Sequence, residues 1–261
     1  MGWLKLKEYG LKEAYIRKLM KEFGAYSDMF IASNFNLFSD KFKSTLEKVD
    51  KVDVSRILET HNKSSVRTIS AKDNEYPSDI KKLVDFPTFL YVKGNEMHRE
   101  RKIAVVGTRK VTKFGKASCE KIVKDLLEYD ITIVSGLAEG IDTIALNIAV
   151  QKNNNPIAIV GTGLDIVYPF ENREIWEKIG REGTIISEYP LGTSAQKWNF
   201  PKRNRLIAAI SNGVLVAESF HRGGSLITAE LAYSLDKEIF AIHGFINYPS
   251  FEGCNNLIKE N

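Results

Sequence analysis

Two cysteines, Cys119 and Cys254, stand in 261 residues. A pair so far apart builds no metal cage by itself and no disulfide scaffold, so a reducing cytoplasm is the expected compartment. Histidine is as scarce. His61, His98, His221 and His243 show no metal or nucleophile spacing such as H-E-x-x-H, and each is expected on the surface or in a turn. A catalytic triad or metal reaction therefore lacks its usual imidazole. No apolar run reaches the ~18 residues of a membrane span. The opening "MGWLKLKEYGLKE" is charged throughout and lacks the apolar middle of a secretory leader. There is no tandem repeat and no low-complexity tract. Nucleotide fingerprints fail too. "GTGLDI" begins like G-x-G-x-x-G but has Ile166 at the third glycine, and G-x-x-x-x-G-K-S/T is missing. Nicotinamide and ATP chemistry are disfavoured, and no cofactor is expected.

What is present is an ordinary apolar fraction of 43% and a formal net charge of +4, mildly suited to a polyanionic partner. The length suits one large domain, or a medium one beside a small one. Residues 1–65 read as a small bundle of short, Lys-rich helices. Ser39 and Asp53 are placed to cap two of them. "VRTIS" and "PTFLYVKGN" read as short strands. From Arg101 the pattern changes: "KIAVVGTR", "ITIVSG", "PIAIVGTG", "TIISEYP", "GVLVAES" and "EIFAIHG" are continuous apolar runs, most of them separated by helical stretches. Strands apolar on both faces, alternating with helices, imply a mostly parallel sheet covered on both sides. The expected architecture is α/β: a Rossmann-like, doubly wound domain over residues 66–261, preceded by a small all-α domain over residues 1–65.

Ligands of such sheets bind outside the carboxyl ends of the strands. Three of those ends carry small residues: Gly107-Thr108-Arg109, Ser135-Gly136 and Gly161-Thr162-Gly163. Glycine lets backbone N–H groups approach a ligand, and a following helix start favours anions. Each glycine alone does no more than permit a turn. The three ends together with Arg109 point to phosphate. Gly223, Gly224 and Ser225 open a further helix and suit either an anion or a plain strand-to-helix turn.

The segment "QKWNFPKRNR", residues 196–205, holds Lys197, Lys202, Arg203 and Arg205 around Trp198 and Phe200, with no acid. Cations interleaved with exposed aromatics suit single-stranded nucleic acid, whose unstacked bases offer π-faces. Pro201 is expected in the first turn of the helix that follows, with Phe200 extended before it. Arg203, Asn204 and Arg205 would then lie in that first turn, where the two arginines oppose the helix dipole unless an anion is near. For Trp198 the sequence leaves two readings open, inward packing, slightly preferred, and contact with a base. If about five phosphates are neutralised, log K should fall with log salt at a slope of about −3 to −4.

Together these residues resemble the DNA-processing protein A family, also called Smf. The likeness rests on "GTR", "SGLAEGIDTIAL", "GTGLDIVYPFENREI", "SEYPLG", "NFPKRNRLIAAIS", "GGSLITAELA" and "GCNNLI", in the family's order over residues 66–258. It implies a Rossmann-like core after a small SAM-like helical domain. It also implies a non-enzymatic protein that binds single-stranded DNA without sequence preference, usually as a homodimer. That protein protects incoming strands in natural transformation and helps load a RecA-type recombinase. Carried over by motif, Arg109 is similar to a phosphate-binding arginine, Lys197 to a phosphate-binding lysine and Phe200 to an aromatic on a base. Arg203, Asn204 and Arg205 match the "RNR" core, while Gly161 and Gly163 line the crevice. Two turns depart from the family: Gly224 stands where Ser-Gly-Ser-Leu is common, and His243-Gly244 replaces Pro-Gly. The chain stops at Asn261, so the winged-helix-like domain of many members is expected to be absent. A competing reading compares "RGGSLITAE" with the P-G-G-x-G-T-x-x-E motif of nucleotide phosphoribohydrolases. In that reading Glu230 is the acid, but Arg222 and Leu226 break the motif.

Overall fold

A computed structural model describes residues 2–97 and 101–260; His98 lies outside them. Five helices come first: α1 (Gly2–Glu8), α2 (Glu13–Glu22), α3 (Ala32–Phe35), α4 (Asp40–Asp50) and α5 (Val54–Lys63). Ser39 and Asp53 cap α4 and α5 as expected, their side chains accepting from the backbone N–H of Phe42 and Arg56. Their apolar faces meet in a cluster that includes Trp3, Leu6, Ile16, Leu19, Met29, Leu46 and Val49. Phe89 joins it from the next strand pair. Glu13 accepts from the N–H and hydroxyl of Thr88, so the helices are pinned to the sheet by hydrogen bonds as well.

The order continues β1 (Val66–Ser70), α6 (Ser78–Lys81), β2 (Phe89–Gly94), β3 (Lys102–Val106), α7 (Lys113–Leu127), β4 (Thr132–Ser135), α8 (Ile141–Gln151), β5 (Ile157–Val160) and α9 (Arg173–Glu182). It ends with β6 (Thr184–Ser187), α10 (Asn199–Ile210), β7 (Gly213–Val216), α11 (Gly224–Tyr233), β8 (Glu238–Ala241) and α12 (Glu252–Glu260). Among the described residues these strands form one sheet, ordered β1-β2-β6-β5-β4-β3-β7-β8. From β6 to β8 every pairing is parallel; β1 and β2 add an antiparallel flank. Strands β4, β5, β6 and β7 are buried at every position, which their unbroken apolar runs require. The expected Rossmann-like α/β class is the one observed.

The topology locates the crevice. From β3 the chain winds outward through β4, β5 and β6, then returns to the other side of β3 for β7 and β8. The strand order therefore switches between β3 and β7, where an open α/β sheet leaves a cleft at its carboxyl edge.

One histidine departs from expectation. His61 is buried on α5, its Nδ1 2.9 Å from Thr68 Oγ1 and its ring edge-on to Tyr91. Burial holds its pKa below the usual imidazole value. Helical periodicity turns it inward against β1 and β2. His221 and His243 are exposed, as expected. Both cysteines are buried and unpaired. Among the described residues no helix is long and apolar enough to cross a membrane.

Candidate functional site

The strand ends β3, β4 and β5 meet α10 and the start of α11 at the switch point. Gly107, Thr108 and Arg109 leave β3, and Thr108 N–H donates to the carbonyl of Glu218 beyond β7 at 2.7 Å. That bond closes the floor of the cleft. Gly107 is demanded by packing: a Cβ there would fall 2.5 Å from Ile141 Cγ1 and 2.9 Å from the Glu218 carbonyl. Gly136 is demanded by charge placement, since its Cβ would lie 2.5 Å from the Arg203 guanidinium.

Arg203 is the electrostatic centre. Only 4% of it is exposed, and Nη1 donates to the carbonyls of Gly136 and Ile159. Its Nε has no hydrogen-bond partner among the described residues. Burial lowers its pKa to about 10; Asp142 opposes that shift, and the nearby Arg109 adds to it. The site thus holds two guanidinium groups close enough to repel. Asp142 lies beneath, also buried, and accepts from the N–H of Gly136 and Ala138 at 3.2 and 3.4 Å. Burial raises its pKa to about 6, against the pull of Arg203 and those N–H groups. It orients the β4 turn and supports Arg203, a positioning role.

Beside Arg203 runs a row in which Phe200 is half-buried between the exposed Tyr168 and Arg109. The Phe200 ring lies 5.2 Å from that of Tyr168 at 32°, and the Arg109 guanidinium sits 5.9 Å from the Phe200 centroid. Arg109 and Lys197 are solvent-exposed. Lys197, Asn204, Gly224 and Ser225 line the same cleft, and Gly136 and Gly161 line its enclosed inner end. Ser225 Oγ donates to Ser219 Oγ at 2.9 Å, holding the loop that enters α11.

Other expected site residues lie elsewhere. The Ser135 hydroxyl is buried and donates to the Val105 carbonyl at 2.6 Å, so it braces β4 against β3. Gly163 packs against the 190–193 turn, its N–H donating to Thr193 O at 2.9 Å, and it does not line the cleft. Arg205 is buried, its Nε 2.8 Å from Asp85 and its Nη2 2.8 Å from Glu188. Lys202 reaches the same Glu188 at 3.2 Å and lies over the Tyr189 ring. Both face away from the cleft because α10 begins at Asn199, ahead of Pro201. With that phase, positions 200, 203, 204 and 207 share one face, while 202 and 205 share another. Phe200 is accordingly helical, not extended. Arg203, Asn204 and Arg205 lie beyond the first turn, so the expected conflict with the helix dipole does not arise there. Asn199 fixes the phase by donating from Nδ2 to the Gly161 carbonyl at 2.9 Å.

Trp198 is 69% exposed, which rules out the slightly preferred inward packing, and it lies outside the cleft lining. Glu230 is exposed on α11 and also outside that lining, so the acid of the phosphoribohydrolase reading does not reach the cleft. Tyr168, and the pairing of Arg203 with Asp142, are not marked by any motif in the sequence. Tyr168 had a signal: an aromatic before Pro169 in the loop that leaves the β5 end.

The family model described as DNA recombination-mediator protein A matches residues 67–261. The DNA processing protein DprA of Streptococcus pneumoniae is 37% identical over 260 residues, covering 98% of this chain and 91% of that protein. Its X-ray structure superposes with a TM-score of 0.86 at 35% identity, over 100% of this chain and 93% of the other. The protein Smf of Synechocystis is 38% identical over 78% of this chain, which spans 52% of that relative. A Helicobacter pylori DNA processing protein A, solved for its single-stranded DNA binding mode, aligns with a TM-score of 0.68 at 30% identity over 76% of this chain and 89% of its own.

Proposed function

Because the chain belongs to the DNA recombination-mediator protein A family, we propose that the cleft between β3, β7 and α10 binds single-stranded DNA without sequence preference. The observation that carries this is the row Tyr168–Phe200–Arg109 lying over the buried Arg203. The row offers an unstacked base a ring face. The cations beside it offer its phosphates two solvent-facing partners, Arg109 and Lys197, and a fixed positive field from Arg203. Gly107, Thr108, Asn204, Gly224 and Ser225 are the neutral walls, whose small size lets a backbone approach. Bases in a duplex are paired and stacked, so they cannot use the row.

The role is that of a mediator. The DNA held in the cleft is protected during transformation and handed to a RecA-type recombinase by a homodimer in the cytoplasm. Residues 1–65 form a helical domain and residues 66–261 the core that carries the cleft, a division supported by the start of the family match at residue 67. Fluorescence anisotropy with a labelled oligothymidylate and a blunt duplex of equal length tests the reading. The single strand binds more tightly; equal affinity for the two overturns it.

A further inference from the structure

A second surface lies outside the cleft, in a groove between α2 and the chain that links β1 to β2. Its rim carries Arg17, Lys18, Lys21 and Lys72, and no carboxylate is among the described residues that line it. Its apolar lining is Ala14, Met20, Ala71 and Phe86, and Val84 stands almost wholly exposed at its edge. Two of the rim cations are held in place by groups that leave their charge uncompensated. Arg17 Nη1 donates to the Phe86 carbonyl at 2.7 Å, with the guanidinium 5.4 Å above the Phe86 ring. Lys72 Nζ donates to the carbonyls of Phe23 and Gly24, 5.2 Å from the Trp3 ring.

An apolar lining beside four cations, two of them held in place and none facing a carboxylate in that lining, is complementary to one kind of surface: an acidic segment with an apolar side chain among its carboxylates. From this we infer that the groove docks an acidic, amphipathic segment of a partner protein. Nucleic acid fits it poorly. The groove is lined by a single ring, Phe86, lying under Arg17, and lacks the two-ring platform that Tyr168 and Phe200 make in the cleft. The location adds to the case. The first residue of β2 continues past Ser187, the end of β6, at the edge of the sheet where the cleft opens. Four strand spacings, roughly 19 Å, separate β2 from β3. A partner seated there stands beside the DNA without blocking it.

The test is selection of a random dodecapeptide library displayed on phage against the full chain, followed by anisotropy with the strongest peptide, synthesised and labelled. The enriched pool is expected to be acidic, with at least one large apolar residue per peptide. The K18E/K21E double variant should weaken the synthetic peptide by at least about tenfold, since two rim attractions become repulsions. The same variant should bind an oligothymidylate like the parent, and the peptide should not displace that DNA. V84D, with the rim intact, should also weaken the peptide. Circular dichroism melts establish that both variants are folded. The inference fails if no peptide is enriched, if the pool has no acidic bias, or if the peptide binds K18E/K21E as well as the parent. It fails equally if K18E/K21E loses DNA affinity, which would make the groove part of the nucleic-acid path.

Discussion

Arg205→Ala, set against Arg109→Ala, separates a fold-bearing arginine from one proposed to meet DNA. The Arg205 side chain is 7% exposed and Glu188 is 1% exposed. Glu188 Oε2 accepts from Arg205 at 2.8 Å and Lys202 at 3.2 Å, while Oε1 has no hydrogen-bond partner among the described residues. Removing the guanidinium leaves a buried carboxylate with one partly exposed lysine. Breaking such a pair costs ~3–5 kcal/mol. The surviving Lys202 contact places this case near 3, which lowers Tm by about 6–12 °C in a chain of this size. Adding Glu188→Gln to Arg205→Ala should recover part of the loss, because the uncompensated charge is gone. Arg109→Ala removes an exposed side chain with no carboxylate partner among the described residues and should leave Tm within about 2 °C. Calorimetry gives Tm, and anisotropy with an oligothymidylate, well below both melting points, gives affinity. Arg205→Ala should melt early yet bind normally while folded. An unchanged Tm with lost DNA affinity would refute this division of roles.

Phe200→Ala should weaken single-strand binding by ~1–3 kcal/mol, read by the same anisotropy titration. Trp198→Ala, outside the cleft lining, should change it by less than about 0.5 kcal/mol, roughly twofold. Asp142 gives a pH signature. Its folded-state pKa of about 6 lies above the ordinary carboxyl value of 3.8, because burial disfavours the charged form. Its contribution to stability therefore falls as pH rises from about 4 to about 6, and is constant above that. Asp142→Asn, which keeps an acceptor for the Gly136 and Ala138 N–H groups, should flatten that stretch of the Tm–pH profile. A profile identical to the parent's would show that Asp142 does not titrate there.

The α/β class was legible because β4 to β7 are buried on both faces, and such strands must be apolar without interruption. Ser39 and Asp53 were legible because capping depends on side chains within one turn. The strand ends were legible in part. Gly107, Gly136 and Gly161 converge, whereas Gly163 and Ser135 serve neighbouring backbone, and nothing in a tripeptide tells these uses apart. The four cations of "QKWNFPKRNR" looked alike in the linear sequence. Their separation depends on helix phase, which advances by about 100° per residue and is set by the Asn199–Gly161 anchor. The acids that claim Lys202 and Arg205, Asp85 and Glu188, come from distant segments. His61 is buried because of the face α5 turns toward β1 and β2, which the linear sequence does not mark.

The account's central claim is that Arg109, Lys197 and Arg203, not Lys202 and Arg205, provide the charge that meets DNA. The direct measurement is the salt dependence of oligothymidylate binding for the parent, Arg109→Ala, Lys197→Ala and Arg205→Ala. About three phosphates met in the cleft give a slope of log K against log salt near −2, shallower than the −3 to −4 of five. Arg109→Ala and Lys197→Ala should each weaken binding and reduce the slope by about 0.7, with Arg205→Ala leaving it unchanged. A parent slope steeper than about −3 that falls with Arg205→Ala but not with Arg109→Ala would contradict the claim.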